Sequence, residues 1–222
     1  MFFVMHKIIN NLIEIKKEIY SKNINNNLTP KIVAVSKTFS MNEISPLIDY
    51  GHLDFGENKV QEAVNKWSEI KTINKNIKLH MIGKLQTNKV KQAVSLFDYI
   101  HSVDSMKLAK KIYNEQKKIN KSVKLFIQIN IGNEDQKSGI EIENFSNLYL
   151  GCKNDLNLDV IGIMCIPPTE RDSTIFFKEM KKIAEKFLIN DISMGMSSDY
   201  IKAIENNSSF VRIGSKIFGE RS

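Results

Sequence analysis

Cysteine is scarce in this sequence. Its two cysteines, Cys152 and Cys165, lack the spacing of a metal site, so no bound metal is expected. In a chain without a secretory signal they are expected to be reduced thiols. Long apolar runs are missing too. Only Met1-Phe2-Phe3-Val4-Met5 raises a targeting question, and His6 and Lys7 end it. It is too short for a signal peptide's apolar region or a membrane span, so a cytoplasmic protein with no membrane partner is expected. Walker loop, dinucleotide GxGxxG and nucleophile elbow are all lacking, which removes the commonest nucleotide and hydrolase chemistries.

Acidic residues are outnumbered, 25 against 32 lysines and arginines, for a net charge of +7. A basic balance raises the question of nucleic acid. The lysines are spread along helical segments, as at Lys107, Lys110, Lys111, Lys117 and Lys118. No aromatic stripe is interleaved with them, as a strand-binding surface would require. A solvated helix face is the better reading, and no nucleic-acid partner is expected. The hydrophobic share of 42% and charged share of 26% over 222 residues suffice for one sizeable core.

What is present is alternation. The run Lys31-Ile32-Val33-Ala34-Val35-Ser36, after Pro30, reads as a buried parallel strand. Further strands are expected at 53–55, 78–82, 99–103, 123–130, 160–166, 192–196 and 210–213. Helical spacing fills the gaps between them. One more helix precedes the first strand, with Ile8, Leu12, Ile15 and Ile19 on one face. Eight strands alternating with helices in this length argue a closed (β/α)8 TIM barrel over an open sheet. No linker or composition break divides the chain. One domain over 1–222 is expected, with the N-terminal helix and loop at 1–29 and the barrel at 30–222.

In such a barrel the chemistry sits at the carboxyl ends of the strands. Lys37 ends the first strand, and strand alternation points Val33, Val35 and Lys37 inward. Position alone leaves two readings even. Lys37 is a desolvated amine that adds to an aldehyde, or a lysine that snorkels to meet a carboxylate. Ser197 follows strand seven and Gly214-Ser215 follows strand eight, where this barrel recurrently binds phosphate. The bland alternative is turn chemistry. Arg212 is expected inward, where it needs an acceptor, such as the ring nitrogen of an aromatic phosphate aldehyde. Asn58 is read as a helix N-cap or a pocket residue, and Glu57 as a helix-start charge. His80 and His101 read as isolated, packed strand histidines.

The segments AVSKT (34–38), FGENKVQE (55–62), HMIGKLQTNKVK (80–91), IHSVDS (100–105), QKSGI (136–140), GIMCIP (162–167), SMGMSSD (193–199) and VRIGSKIFGER (211–221) resemble the YggS/PROSC family of pyridoxal phosphate homeostasis proteins. The resemblance runs from Pro30 to Arg221 with every motif in order. It implies a fold type III barrel similar to the N-terminal domain of alanine racemase. It implies pyridoxal 5′-phosphate held as an internal aldimine on Lys37. The phosphate then falls to Ser197 and the Gly214-Ser215 turn, Arg212 lies beside the pyridine nitrogen and Asn58 near the cofactor. Ser215 departs from the more usual threonine but keeps the hydroxyl. The connection before strand seven, at 188–191, is short.

Arginine only donates, so it leaves the ring nitrogen unprotonated and the electron sink weak. A racemase also needs acid/base groups on both faces of the substrate α-carbon. In the racemase relatives one comes from a C-terminal β-domain, whereas this chain ends at Ser222. No catalytic residue is therefore expected. The function implied is a non-catalytic carrier of pyridoxal phosphate. Pyridoxal phosphate-dependent apo-enzymes are its partners, and it is a monomer or weak dimer. The alternative is a pyridoxal phosphate-dependent amino-acid racemase.

Overall fold

The computed structural model describes residues 6–22, 29–134 and 136–220. Eight parallel strands form a closed barrel in chain order: β1 Lys31–Val35, β2 Asp54–Glu57, β3 Lys78–Met81, β4 Tyr99–Val103, β5 Lys124–Ile129, β6 Val160–Cys165, β7 Asp191–Met196 and β8 Phe210–Ile213. β8 pairs back onto β1, with Val33 opposite Arg212, which closes the ring. Closure removes every sheet edge, and each strand is buried on both faces, hence the near-continuous apolar runs.

The helices cover the outside: α1 Lys7–Lys22, α2 Met41–Asp49, α3 Val60–Ile73, α4 Val90–Leu96, α5 Met106–Ile119, α6 Ile142–Leu150, α7 Ser173–Lys186, α8 Tyr200–Glu205 and α9 Ser215–Phe218. Ser105 caps α5, and Asp172 caps α7. The extra helix α1 buries Ile8, Leu12, Ile15 and Ile19, each burial stabilising by about 1.5–3 kcal/mol. It packs against α2, α8 and α9. Of the loop expected between the N-terminal helix and the barrel, residues 23–28 lie outside the described residues.

Most apolar residues form one large cluster between strands and helices, including Ala34, Phe55, Trp67, Val211 and Ile213. A smaller cluster fills the barrel interior: Val33, Tyr99, Phe126, Met164 and Phe210. The split between Val33 and Ala34 is the alternation read from the sequence. The second strand runs further than expected, through Gly56 to Glu57. Gly56 is no stop signal. A Cβ there would sit 2.9 Å from Val33 Cγ1, so glycine is what lets β1 and β2 pack at this level. Among the described residues no helix is long and apolar enough to cross a membrane. Neither cysteine is in a disulfide, and burial pushes the Cys165 thiol up to about 12 and the Cys152 thiol up to about 11.

Candidate functional site

A cavity of about 510 Å³ opens at the carboxyl ends of the strands. Lys37, Asn58, Ser197, Arg212, Gly214 and Ser215 all line it, so every residue singled out as a binding candidate converges on one place. Val35, Phe39, Ile82, Ile166 and Met196 supply apolar walls. A larger cavity of about 740 Å³ lies between α3 and α4, lined by Lys71, Lys91 and Lys121 and by none of the binding candidates. Volume alone does not choose the site; the convergence of chemically matched groups does.

Lys37 sits half-buried in the turn after β1. A buried charge cluster behind that turn sets its position. Ser36 Oγ donates to Glu57 Oε1 at 2.8 Å, and Lys66 Nζ donates to the Ser36 carbonyl at 2.9 Å. Lys66 Nζ also reaches Glu57 Oε1 and Glu62 Oε1, both at 3.0 Å. Glu62 in turn accepts from the Thr38 backbone N–H. Thr38 holds φ +69, a left-handed conformation that such pinning stabilises. Glu57 is therefore not a helix-start charge. It is a fully buried strand residue, because β2 continues past Gly56.

Asn58 is not the N-cap of α3. Lys59 takes that place without a side-chain cap bond, and Asn58 lines the cavity. Gly83 holds it there. A Cβ at Gly83 would lie 2.3 Å from the Asn58 carbonyl oxygen, so this backbone approach admits only glycine.

At the opposite wall, Ser197 Oγ accepts from the backbone N–H of Gly214 at 3.2 Å and of Lys216 at 3.3 Å. Hydroxyls and backbone N–H groups thus gather at the ends of β7 and β8. The α9 turn is tied down from α1, a feature that local spacing does not reveal. Asn11 Nδ2 donates to the Ile217 carbonyl at 2.8 Å, and Lys216 pairs with Glu18 at 2.8 Å.

Arg212 points inward from β8 and is buried. Its Nη1 donates to the Ser193 carbonyl at 2.7 Å and to Ser193 Oγ at 2.6 Å, and its Nη2 donates to the Cys165 carbonyl at 2.8 Å. These engage three of its five N–H donors. Burial pushes its pKa below the usual arginine value.

His80 and His101 are packed, as expected, but not isolated. Their rings are hydrogen-bonded, Nδ1 of His80 to Nε2 of His101 at 3.0 Å. Burial lowers the pKa of both, and of His52, with His101 well below the usual imidazole range. These histidines bind a proton less readily in the folded protein than in the unfolded chain, which protonates near pH ~6.5. Their stabilisation is therefore complete above that pH and is lost as pH falls below it, at most about 1.4 kcal/mol per histidine per pH unit. Urea unfolding of the cofactor-free protein is expected to show lower stability at pH 5.5 than at pH ~7.5, a window above the carboxylate range. Double replacement of His80 and His101 by glutamine should flatten that slope; an unchanged slope would contradict it.

As a donor set the cavity fits a phosphate monoester joined to an aromatic aldehyde. Hydroxyls and backbone N–H groups suit the phosphate, a lysine amine suits the aldehyde, and a donor-only guanidinium suits an unprotonated ring nitrogen. Among the described residues no group of histidine, cysteine and carboxylate side chains could hold a metal ion.

Comparison with known proteins agrees with the geometry. The alanine racemase N-terminal domain matches residues 8–222. The pyridoxal phosphate homeostasis protein of Haemophilus influenzae is 38% identical over 224 residues, covering 96% of this chain and 94% of that one. PipY of Synechococcus elongatus, solved with PLP bound, superposes with a TM-score of 0.84 at 27% identity, covering 96% of this chain and all of that one. The alanine racemase of Corynebacterium glutamicum superposes with a TM-score of 0.72 at 16% identity, and 97% of this chain matches 60% of it.

Proposed function

This chain belongs to the pyridoxal phosphate homeostasis family, built on the alanine racemase N-terminal domain, and from that we propose that it binds pyridoxal 5′-phosphate in the strand-end cavity and releases it again. The observation that carries the reading is the meeting of Lys37 with the Ser197, Gly214 and Ser215 donors in one cavity. When bound, the cofactor supplies an aldehyde open to addition by an amine and a phosphate open to hydrogen bonds.

The residues divide the work. Lys37 Nζ is the covalent anchor. Ser197 and the Gly214-Ser215 turn hold the phosphate. Asn58 fixes the ring edge. Arg212 can only donate, so beside a ring nitrogen it gives a hydrogen bond and withholds the proton a carboxylate would keep there.

The role is that of an intracellular reservoir without significant turnover, acting in the cytoplasm as a monomer or weak dimer. It lowers free aldehyde and supplies pyridoxal phosphate-dependent apo-enzymes. Among the described residues lining the cavity there is no tyrosine, histidine or cysteine, and the racemase alternative would have to use the one carboxylate, Glu220, opposite Lys37 in proton transfer. The racemase neighbour shares the barrel, and at 16% identity that likeness shows fold alone.

Titrating the purified chain with pyridoxal phosphate tests this. A yellow protein loaded one to one, which restores activity to an apo-aminotransferase and does not exchange D- and L-alanine, is the expected result. A chain that cannot be loaded overturns the cofactor reading. Alanine or serine exchange at even a few per second, within the ordinary enzyme range, overturns the non-catalytic part. Ser197→Ala should weaken loading about 10- to 100-fold, since a hydrogen bond to a charged group contributes about 1.5–3 kcal/mol.

A further inference from the structure

Beneath the cavity the barrel interior carries a line of polar side chains through its aromatic filling. Arg212 Nη1 donates to Ser193 Oγ at 2.6 Å. Ser193 Oγ meets His101 Nδ1 at 2.9 Å, His101 Nε2 meets His80 Nδ1 at 3.0 Å, and His80 Nε2 meets Asp54 Oδ1 at 3.0 Å. The line joins five residues from five strands, β8, β7, β4, β3 and β2. It runs from the cofactor end of the barrel to Asp54, the first residue of β2, near the opposite mouth.

The carboxylate end and the lowered pKa of both rings set the direction of the hydrogens in between. A guanidinium cannot accept and a carboxylate cannot donate. Read back from Asp54 through two neutral rings, His101 Nδ1 is an acceptor, so Ser193, which accepts from Arg212, donates to it. His101 then carries its proton on Nε2 and donates to His80 Nδ1. His80 carries its proton on Nε2 and donates to Asp54. Both rings are neutral in this arrangement, and every acceptor faces Arg212.

That orientation answers a problem in charge. Among the described residues no carboxylate pairs directly with Arg212, although it is buried. An uncompensated buried charge is costly. A chain of aligned dipoles ending on a carboxylate adds compensation at a distance, beside the through-space pull of Asp199. The stacking partners leave the rings little freedom. Tyr99 lies on His80 at 4.3 Å and 6°, and Phe126 lies on His101 at 4.2 Å and 16°.

We propose that Ser193, His101, His80 and Asp54 are positioning residues that hold the Arg212 guanidinium fixed and charged at the floor of the cavity. The effect on a bound ring nitrogen rests on the cofactor reading above; the relay itself does not. The charged groups bearing on it are few. Asp54 and, through space, Asp98 and Lys31 act on His80, Arg212 acts on His101, and Asp199 acts through space on Arg212. For Asp54, burial raises the pKa, but the His80 hydrogen bond and the Lys31 charge oppose it and the carboxyl is held below its usual range, so it remains the negative end.

Two experiments test the proposal. Nitrogen NMR of the cofactor-free protein near neutral pH should find His80 and His101 both neutral and both protonated on Nε2. A cationic ring, or a proton on either Nδ1, overturns the relay whatever the protein binds. In the protein loaded with pyridoxal phosphate, His101→Leu severs the line, whereas His101→Gln can accept from Ser193 and donate to His80. The leucine variant should load at least tenfold more weakly. The pH midpoint of its bound chromophore should move to higher pH, because a fixed cation no longer disfavours protonation. The glutamine variant should restore most of both. Asp54→Asn, at the half-exposed end, should move the midpoint in the same direction if the leucine variant does not fold. Folded variants whose loading and midpoint equal the wild type would overturn the proposal. A wild-type chain that does not load at all would sink the cofactor reading and leave the NMR result to decide the relay.

Discussion

Lys37→Ala is expected to give a folded protein that binds pyridoxal phosphate without colour and loses it on dialysis. Borohydride treatment of the loaded wild type should fix the cofactor's mass on the peptide that carries Lys37. The same treatment of the variant should fix none. Lys37 stands half-buried in a turn, so its truncation removes no core volume and should change unfolding stability by less than about 1 kcal/mol. The phosphate donors at Ser197, Gly214 and Ser215 remain, so binding is weakened and not abolished. We expect at least a hundredfold loss of affinity, about 2.8 kcal/mol at about 1.4 kcal/mol per tenfold. Lys37→Arg separates charge from chemistry. It keeps a cation at the site but no amine able to add to an aldehyde, so it should behave like the alanine variant. Wild-type colour in either variant would show that another lysine is the anchor, and would leave the phosphate wall and the barrel standing.

How far this site could be read from the chain depends on where its information lies. Lys37, Ser197 and Gly214-Ser215 were legible because each follows a buried strand, and a parallel barrel gathers its strand ends on one face. Val33 and Arg212 were placed inward by alternation alone, and they face each other across the β1–β8 seam. The relay below them was not legible. Its members are separated by 19, 92, 21 and 26 residues along the chain. What brings them together is register and barrel closure, which no local window contains. Hence His80 and His101 read as unrelated packed residues. For Asn58 the chain left two readings open, and the structure selects the pocket one. An asparagine before a helix is ordinary capping chemistry, but α3 begins one residue later than that reading needs, and the close approach of Gly83 claims Asn58 for the cavity. Glu57 was misread because Gly56 looked like the end of a strand that in fact continues through it.

Lys66→Met is expected to cost about 3–5 kcal/mol in urea unfolding, since it strips the counter-charge from a buried carboxylate. Glu57 is fully buried and the Lys66 side chain is only 10% exposed. Glu57 Oε1 accepts from Ser36 Oγ, from Lys66 Nζ and from Trp67 Nε1 at 2.9 Å. Its second oxygen, Oε2, is buried without a hydrogen-bond partner, so the ammonium carries the burden of compensation. Adding Glu57→Gln to Lys66→Met removes the stranded charge and should recover part of the loss, a coupling a double-mutant cycle measures directly. The cluster also carries the anchor turn, through the Ser36 carbonyl and through Glu62 to Thr38. A stability loss below about 1 kcal/mol, the scale of an exposed pair, would show that water reaches the cluster and that the turn is held by the strand alone. The contrast with Lys37 is the physical point. Lys37→Ala should remove the anchor and spare the fold, while Lys66→Met should spare the anchor amine and remove what holds it. If both variants instead lost stability and retention together, anchor and support would form a single unit in which Lys37 is itself part of the buried charge balance.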